Sequence, residues 1–395
     1  MTDTAEMSPA DGGGGGAPKV MTIVGTRPEL IKMSRVIAEL ERFTDHRLVH
    51  SGQNYDYELN QVFFDELEIR KPDHFLSAVG DTVAESIGLV IARSDAVMAA
   101  EQPDALVLYG DTNTCLAVIA AKRRHIPVFH LEAGNRCFDD RVPEEINRRL
   151  VDHLSDVNMP LTEHARRYLL AEGLRAETIF TIGSPMREVL SHYHDGISSS
   201  RVLDDLALTA GGYLLVSAHR EENVDDPQRL QALIETLQLL AQTYDRPVIV
   251  STHPRTRARL DAGQAYAGAA DDERIRFLPP FGYFDYVTLQ RNAYCVVSDS
   301  GTLTEEAALL GFPAVMVRDA HERPEGVDAG VLLLSALRPD QVRHAIDVVV
   351  AQRRPEGQPA QDVPDYAPAA VSQTVVRIVL GYIGYVRRTV WHQPE

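Results

Sequence analysis

Short apolar runs alternate with longer, mostly polar segments along almost the whole chain. Each run is three to seven residues long and apolar at nearly every position, which is typical of a strand buried on both faces of a parallel sheet. The intervening segments are long enough for the helices that connect parallel strands. The pattern predicts an α/β protein with two halves. Its clearest predicted strands are residues 19–25, 105–108, 126–131, 213–217, 248–252, 296–298 and 315–317.

The two halves join where loop-forming residues cluster. The stretch D-G-I-S-S-S begins at Asp195, and Gly211-Gly212 comes directly before the next apolar run. Such clusters mark connections between elements. We therefore expect a first domain over residues 19–195 and a second over residues 205–367.

The two ends of the chain differ from its body. Residues 1–18 contain five consecutive glycines and no apolar pattern, so we expect a disordered tail there. Residues 356–368 are rich in Pro and Gly, whereas residues 369–390 have the apolar spacing of a helix. We therefore expect residues 368–395 to form a C-terminal helical segment.

The densest charge pattern begins at the end of the strand at 126–131. Residues 130–148 read H-L-E-A-G-N-R-C-F-D-D-R-V-P-E-E-I-N-R and place Glu132 and Glu144 among several arginines, one of them Arg136. Carboxylates surrounded by guanidinium groups at a strand end suit proton transfer beside a bound anion. A solvated charge cluster on a loop and the following helix is the alternative interpretation.

Two other strand ends in the first half carry polar motifs. T-R-P-E-L-I-K follows the first strand, where Pro28 suits the first turn of a helix and Arg27 and Lys32 bring positive charge to its N–H groups. G-D-T, which contains Asp111, follows the second strand, and Asp111 could instead be a plain helix cap. Ligands of doubly wound sheets bind beyond the carboxyl ends of strands, so three such ends predict a site.

The second half offers a facing set of polar loops. Its first strand leads into His219 and Arg220, and its third leads into Ser300 and Gly301. The latter pair, at a helix start, could bind a phosphate through backbone N–H groups or simply cap the helix. In the following turn Glu306 could accept both hydroxyls of a ribose, because a carboxylate has two acceptor oxygens.

Six motifs occur in a fixed order along the chain: G-T-R-P-E-L-I-K, G-D-T, H-L-E-A-G, P-E-E-I-N-R, D-S-G-T-L-T-E-E and E-R-P-E-G. Together they resemble the non-hydrolysing UDP-N-acetylglucosamine 2-epimerase family, from about Lys19 to about Arg388. The resemblance implies the glycosyltransferase-B architecture, in which two Rossmann-like domains enclose an active-site cleft. It also implies a terminal helix that packs back on the first domain, and a homodimer.

The implied reaction is reversible epimerisation at C2 of a UDP-N-acetylhexosamine, first of all UDP-N-acetylglucosamine to UDP-N-acetylmannosamine. The family eliminates UDP across C1–C2 to give a 2-acetamidoglycal and adds it back after protonating the other face. Asp111, Glu132 and Glu144 match the family's acid/base carboxylates, and His219 matches a histidine that contacts the phosphates. A purely structural role at a strand end is the alternative for His219.

The other predicted site residues hold the nucleotide. By resemblance, Arg27, Ser300, Gly301 and Glu306 contact phosphate and ribose, and Tyr286 lies beside uracil. A chain with a net charge of −18 must concentrate cations where it binds a nucleotide. We expect no metal and no cofactor, because arginines and helix starts can neutralise the pyrophosphate. The remaining residues that we expect to bind the substrate are the cations Lys32, Arg136, Arg220 and Arg323.

Some motif details resemble a subgroup that acts on 6-deoxy talosamine and fucosamine nucleotides. The stretches S-G-Q-N-Y-D-Y-E-L-N and A-H-E-R-P-E-G are similar to it, and Asn135 replaces the usual Leu or Met of the glucosamine enzymes. Epimerisation between UDP-N-acetyl-L-talosamine and UDP-N-acetyl-L-fucosamine is therefore the alternative reaction. A UDP-sugar glycosyltransferase of the same fold and a non-enzymatic UDP-sugar sensor are further alternatives, which the set of carboxylates disfavours. A hydrolysing epimerase is another alternative, and a fused kinase domain, which would support it, is not seen in the sequence.

Composition limits the partners and the compartment. The net charge of −18 argues against non-specific nucleic-acid binding, and no apolar run reaches membrane-spanning length. No signal-peptide pattern opens the sequence, and no G-x-G-x-x-G follows a strand, so a nicotinamide cofactor is not indicated. Cys115, Cys137 and Cys295 match no zinc pattern, and we expect reduced thiols. We expect a cytoplasmic enzyme that binds a UDP-sugar and UDP, and neither nucleic acid nor membrane.

Overall fold

The computed structural model describes residues 16–52, 57–262, 272–320, 322–353 and 363–393. Within this part of the chain, all strands belong to two parallel sheets of six strands each. The prediction of an α/β fold with two Rossmann-like halves is confirmed. The predicted disordered tail lies almost entirely outside the described residues.

The first sheet has the order β3-β2-β1-β4-β5-β6. Its strands are β1 Lys19–Val24, β2 Asp45–His50, β3 His74–Phe75, β4 Ala105–Tyr109, β5 Val128–Leu131 and β6 Val157–Met159. The second sheet has the order β12-β11-β10-β7-β8-β9. Its strands are β7 Leu214–Ser217, β8 Val248–Ser251, β9 Ile275–Leu278, β10 Cys295–Ser298, β11 Ala314–Val317 and β12 Leu333–Ser335.

The helices connect the strands and cover both faces of each sheet. Those before the second sheet are α1 Arg27–Phe43, α2 Tyr57–Glu66, α3 Val83–Glu101, α4 Val118–Arg123, α5 Pro143–Leu154, α6 Glu163–Ala171, α7 Met186–His192, α8 His194–Ser198 and α9 Val202–Asp205. Those that follow are α10 Glu221–Val224, α11 Pro227–Tyr244, α12 Pro254–Ala262, α13 Tyr283–Asn292, α14 Leu303–Leu310, α15 Pro324–Asp328, α16 Pro339–Ala351 and α17 Val371–Thr389.

The two sheets have the same topology. Counted from its own first strand, each sheet has the order 3-2-1-4-5-6, which is the order of a doubly wound nucleotide-binding fold. In such a sheet the strand order reverses between strands 1 and 4, because strands 2 and 3 are added on one side of strand 1 and strands 4 to 6 on the other. Ligands bind beyond the carboxyl ends of strands 1 and 4. The fold therefore predicts one binding crevice beyond β1 and β4 and a second beyond β7 and β10.

The strands that the apolar pattern predicts have side chains buried on both faces of the sheet. In β1, Val20 and Val24 pack into the core on one face of the sheet, and Met21 and Ile23 pack into the core on the other. The seven predicted strands all correspond to strands of the structure. The five that were not predicted are shorter or mix polar residues with apolar ones, as in D-H-R-L-V-H of β2.

The last helix, α17, packs against the first half of the molecule. Val375 and Val379 are fully buried in the core that also contains α1. Arg387 donates from Nη2 to Asp104 Oδ1 at 2.6 Å, and the Trp391 ring stacks on His125 at 4.3 Å between centroids. None of the described helices is both long and apolar enough to cross a membrane.

We expect Val379→Ala to lower the free energy of unfolding of the first half by about 1–3 kcal/mol, because it removes two buried methyl groups and leaves a cavity. Leu380→Ala is the matched control, since Leu380 is the next residue of the same helix and 39% exposed. Urea unfolding of both variants measures the difference. Equal losses would show that the apolar face of α17 does not stabilise this half.

Candidate active site

The predicted motifs follow the central strands of both sheets. Arg27 and Asp111 come after β1 and β4, and His219 and Ser300 come after β7 and β10. Ion pairs join the two sets of loops, so the two crevices face each other. The structure therefore brings motifs that are distant in sequence into one cleft between the halves.

Asp111 lies just beyond β4 and is bound by Arg148 of α5. The Arg148 guanidinium donates to Asp111 Oδ2 from Nε at 2.9 Å and from Nη2 at 2.5 Å. Burial raises the pKa of Asp111 to about 6, against the effect of Arg148, and the nearby charges of Glu132 and Glu144 raise it further. The cap of the following helical turn is Thr112, so Asp111 is not needed as a cap.

Glu132 follows β5 with an uncommon backbone conformation. Its φ of 63° lies in the left-handed region, which costs a non-glycine residue roughly 1–3 kcal/mol. Its backbone N–H donates to the Met159 carbonyl at 3.1 Å, and Asn135 Nδ2 donates to its Oε1 at 3.1 Å. The surrounding structure thus holds this carboxylate in place despite the backbone cost.

Four charged side chains from both halves meet at Glu132, and we call them the charge cluster: Lys32, Glu132, Glu305 and Arg323. Lys32 Nζ lies 2.7 Å from Glu305 Oε2 and 3.6 Å from Glu132 Oε1. Arg323 Nη2 donates to Glu132 Oε1 and lies 3.4 Å from Glu305 Oε2. Positive and negative charges therefore alternate around the cluster.

The cluster keeps Glu132 ionised. Burial alone would raise the pKa of Glu132, but the charges of Lys32 and Arg323 outweigh it and lower the pKa to about 2. The pKa of Asp111 lies instead near neutrality, at about 6. Pairs of titratable groups whose environments separate their pKa values are typical of acid/base sites.

A second set of ion pairs also spans the cleft. The Glu322 carboxylate accepts from Arg318 Nη1 and Nη2 at 2.8 and 3.0 Å, and it lies 3.4 Å from Arg148 Nη2 and 3.8 Å from Arg220 Nη2. Burial would raise the pKa of Glu322, but these three arginines lower it well below its ordinary value. Arg148 thus links Asp111 of the first half to Glu322 of the second.

His219 is oriented by a buried aspartate. Its Nδ1 lies 3.1 Å from Asp299 Oδ1, and its backbone N–H donates to Asp299 Oδ2 at 3.0 Å. Asp299 also accepts from the backbone N–H of Arg220 and from Asn223 Nδ2, each at 3.0 Å. Burial would raise the pKa of Asp299, but His219 and these hydrogen bonds lower it strongly. The His219 side chain is 40% exposed, so its Nε2 can reach a ligand.

The residues predicted to hold the nucleotide lie around α14 and α13. Ser300 and Gly301 form the turn before α14, where the Ser300 hydroxyl lies 3.0 Å from that of Thr302. Glu306 accepts from Gln290 Nε2 at 2.6 Å, and burial raises its pKa to about 7 against that hydrogen bond. Tyr286 of α13 is partly buried, and its pKa is raised by burial and by the charge of Glu306.

Other predicted site residues have different surroundings. The Arg27 guanidinium lies 5.3 Å from the centre of the Phe63 ring, at the start of α1. Arg136 is buried, and its guanidinium donates to Asp152 Oδ2 at 2.7 Å and to Glu172 Oε1 at 2.7 Å. The contacts of Arg136 therefore involve none of the other predicted site residues. Glu144 is half-buried on the first turn of α5.

The sequence reasoning did not single out several residues that build the cleft. Glu305 precedes Glu306 in T-E-E, and nothing in the motif shows that its carboxylate meets the first half. Arg148 and Glu322 lie within charged stretches of the sequence, and nothing in those stretches indicates that the two side chains pair. The missing information is the packing of one half on the other, which short motifs do not contain.

Glu29 is a further buried carboxylate beside Asp111. Its Oε2 accepts from the backbone N–H groups of Gly25 at 2.5 Å and Thr26 at 3.1 Å, and its Oε1 accepts from the Thr112 hydroxyl at 2.6 Å. Burial raises the pKa of Glu29 to about 7, although these hydrogen bonds oppose the rise. Among the described residues, no group of three or more His, Cys, Asp and Glu side chains is arranged to hold a metal.

Comparison with known proteins gives consistent results. The sequence profile of the family described as UDP-N-acetylglucosamine 2-epimerase matches residues 38–380. The structure of UDP-N-acetylglucosamine 2-epimerase from Rickettsia bellii is similar with a TM-score of 0.89 and 53% identity, over 95% of this chain and 100% of that one. The Methanocaldococcus jannaschii enzyme, solved in complex with UDP-GlcNAc and UDP, has a TM-score of 0.86 and 32% identity, over 92% and 99% of the two chains.

Another relative is named for a different UDP-sugar. The UDP-2,3-diacetamido-2,3-dideoxy-D-glucuronate 2-epimerase of Pseudomonas aeruginosa is 34% identical over 331 residues, which cover 82% of this chain and 90% of that protein. Relatives at this level of identity are thus named for different UDP-sugars.

The raised pKa of Glu29 predicts how stability depends on pH. Its folded-state pKa of about 7 lies above the ordinary value of 4.5, so its contribution to stability is fully present below pH 4.5 and is lost as the pH rises through 7. Glu29→Gln cannot titrate. We expect the wild type to lose up to about 3 kcal/mol relative to this variant between pH 4.5 and 8, at about 1.4 kcal/mol per pKa unit.

Urea unfolding of both proteins across this pH range measures the effect. Glu235→Gln, at an exposed position of α11, is the control for removing one carboxylate. Parallel stability curves for the wild type and Glu29→Gln would contradict the prediction.

Proposed function

The chain belongs to the UDP-N-acetylglucosamine 2-epimerase family and is therefore a UDP-sugar 2-epimerase, and we propose that it interconverts UDP-N-acetylglucosamine and UDP-N-acetylmannosamine. The observation that carries the proposal is that ion pairs join Asp111 and Glu132 to the second half: Asp111 through Arg148 to Glu322, and Glu132 to Arg323. Glu322 also pairs with Arg220, the residue after His219. Acid/base carboxylates on one side and anion-binding groups on the other are what an elimination of UDP requires.

The proposed reaction begins with loss of the C2 proton to a carboxylate. The electron pair of the C2–H bond forms the C1–C2 double bond, and the C1–O bond breaks to release UDP. Protonation of C2 from the opposite face and return of the UDP oxygen to C1 complete the inversion. Asp111 suits this exchange, because a group with a pKa of about 6 both accepts and donates protons near neutral pH.

The pyrophosphate that departs must be held until it returns. His219 is suited to this role because Asp299 holds Nδ1 in place, which leaves Nε2 for a phosphate oxygen. The backbone N–H of Gly301 and the cation of Arg27 supply further donors. The Glu306 carboxylate can accept from the ribose hydroxyls, with Tyr286 beside the base.

We also propose that the cleft opens to admit the nucleotide-sugar and closes for the reaction. Lys32 and Arg148 of the first half pair with Glu305 and Glu322 of the second, so a nucleotide-sugar enters only when these contacts separate. We propose residues 19–195 and 205–367 as the two moving domains. Closure would exclude water and protect the glycal intermediate.

A related sugar is the second candidate, and one contact favours it. Asn135, which replaces the Leu or Met usual in the glucosamine enzymes, donates to Glu132 Oε1 at 3.1 Å. A residue that differs at this position therefore touches the proposed acid/base machinery. The second candidate reaction is epimerisation of UDP-N-acetyl-L-talosamine and UDP-N-acetyl-L-fucosamine.

Proton NMR in D₂O tests the reaction directly. We expect UDP-N-acetylglucosamine to give UDP-N-acetylmannosamine with deuterium at C2, because the proton removed exchanges with solvent. The same assay with UDP-N-acetyl-L-talosamine tests the second candidate. A kcat/KM at least tenfold higher for that sugar, or about 1.4 kcal/mol of transition-state discrimination, would replace the first assignment. Release of free N-acetylmannosamine would indicate hydrolysis instead.

Isosteric variants test the carboxylates. Asp111→Asn, Glu132→Gln and Glu144→Gln keep size but cannot exchange protons, and we expect each to lower kcat by roughly two to four orders of magnitude. UDP affinity, measured by calorimetry, should change little, because the proposed UDP contacts lie elsewhere. Variants that lose stability but keep wild-type turnover would assign these residues a structural role only.

A further inference from the structure

Glu305 is a buried carboxylate at the join between the two halves, and its side chain has no exposed surface. It lies on the first turn of α14, one residue before Glu306. Oε2 accepts from Lys32 Nζ at 2.7 Å and lies 3.4 Å from Arg323 Nη2, while Oε1 accepts from the Ser184 hydroxyl. Lys32 and Ser184 belong to the first half, so Glu305 is bound across the cleft.

The four members of the charge cluster form two kinds of pair. Lys32 with Glu132 and Arg323 with Glu305 are pairs within one half, at 3.6 and 3.4 Å. Lys32 with Glu305 and Arg323 with Glu132 are pairs between the halves, and both are hydrogen bonds. Each half therefore carries one positive and one negative charge.

This arrangement matters when the halves separate. An unpaired charge in a poorly solvated place is costly, whereas a neutral pair is much less so. Because each half keeps its own pair, opening the cleft leaves no side chain of the cluster without an opposite charge. Closing restores both contacts between the halves together, and only then does Glu132 gain its hydrogen bond from Arg323.

The same two cations hold Glu305 and Glu132. Without the charge of Glu305, Lys32 and Arg323 would both be balanced by Glu132 alone, and the cluster would carry a net charge of +1. Glu132 would then be the one carboxylate of the charge cluster that holds Lys32 and Arg323 in place. Glu305 therefore contributes more than one buried ion pair.

We propose that Glu305 is a positioning residue that places Lys32 and Arg323 on Glu132, and that it thereby couples the alignment of this carboxylate to closure of the cleft. The proposal rests on the proposed function, since it assigns Glu132 to the reacting centre. Glu305 itself need not touch the substrate. It acts through the two cations.

Glu305→Gln tests the proposal, because the amide keeps the size and an acceptor oxygen but removes the charge. We expect kcat to fall 10- to 100-fold while UDP affinity stays within about threefold of the wild type. Glu66→Gln is the matched control. Glu66 also joins the halves, by accepting from the backbone N–H of Tyr283 at 2.6 Å, but it contacts no member of the charge cluster in the described contacts. We expect its kcat within about twofold of the wild type.

A double-mutant cycle separates positioning from an independent effect. If Glu305 acts through Glu132, then Glu305→Gln should change kcat less than twofold in a Glu132→Gln background. If the double variant instead shows the product of the two single losses in kcat, the proposal is overturned. Equal losses in Glu305→Gln and Glu66→Gln would also overturn it, since they would show only a general weakening of the join.

Small-angle scattering without substrate provides a readout that does not depend on activity. We expect Glu305→Gln to have a larger radius of gyration than the wild type, because the cluster has lost one of its contacts between the halves. An unchanged radius would overturn the coupling to closure. Absence of turnover by the wild type on every UDP-sugar would instead refute the proposed function, and the scattering comparison would still decide the role of Glu305 in closure.

Discussion

The rest of the structure depends on pairing buried charges across the join between two sheets. Asp111 and Glu132, the two buried carboxylates proposed to transfer protons, lie where little water reaches, and isolated charges there are unfavourable. Each is paired with a cation, and several of these pairs cross from one half to the other, as Arg148 does with Glu322. The cost of separating such pairs determines how the halves meet. It also determines the protonation state of each carboxylate, with a pKa of about 2 for Glu132 and about 6 for Asp111.

Topology explains why these charges meet at all. In a parallel sheet every strand ends at the same edge, so the loops that follow β1 and β4 share one crevice. The second half repeats the same strand order, and its crevice faces the first. A common arrangement of secondary structure thus provides two sets of polar loops. The side chains on them, and not the fold, distinguish an epimerase from other enzymes built this way.

Seven of the twelve described strands, and the motifs that follow them, could be predicted from sequence, because apolar runs and helix starts are local patterns. The family resemblance drawn from six ordered motifs is confirmed by the profile match and the similar structures. The partners of the side chains could not be predicted in this way. Glu305 and Glu322 find their cations only when the halves pack together, and Arg136 pairs with Asp152 and Glu172 through contacts that no short motif encodes. The roles assigned to the individual site residues stay predictions.

The packing of α17 on α1 has a consequence for biosynthesis. The ribosome completes residues 19–195 early, but the core around α1 lacks Val375 and Val379 until the whole second half has been translated. The second sheet, by contrast, is contiguous in sequence and has all its strands before α17 emerges. The half that is synthesised first is therefore the last to have its full core, and during that interval it exposes the apolar face of α1 that α17 later covers. An apolar face exposed in this way makes an incomplete chain prone to aggregation.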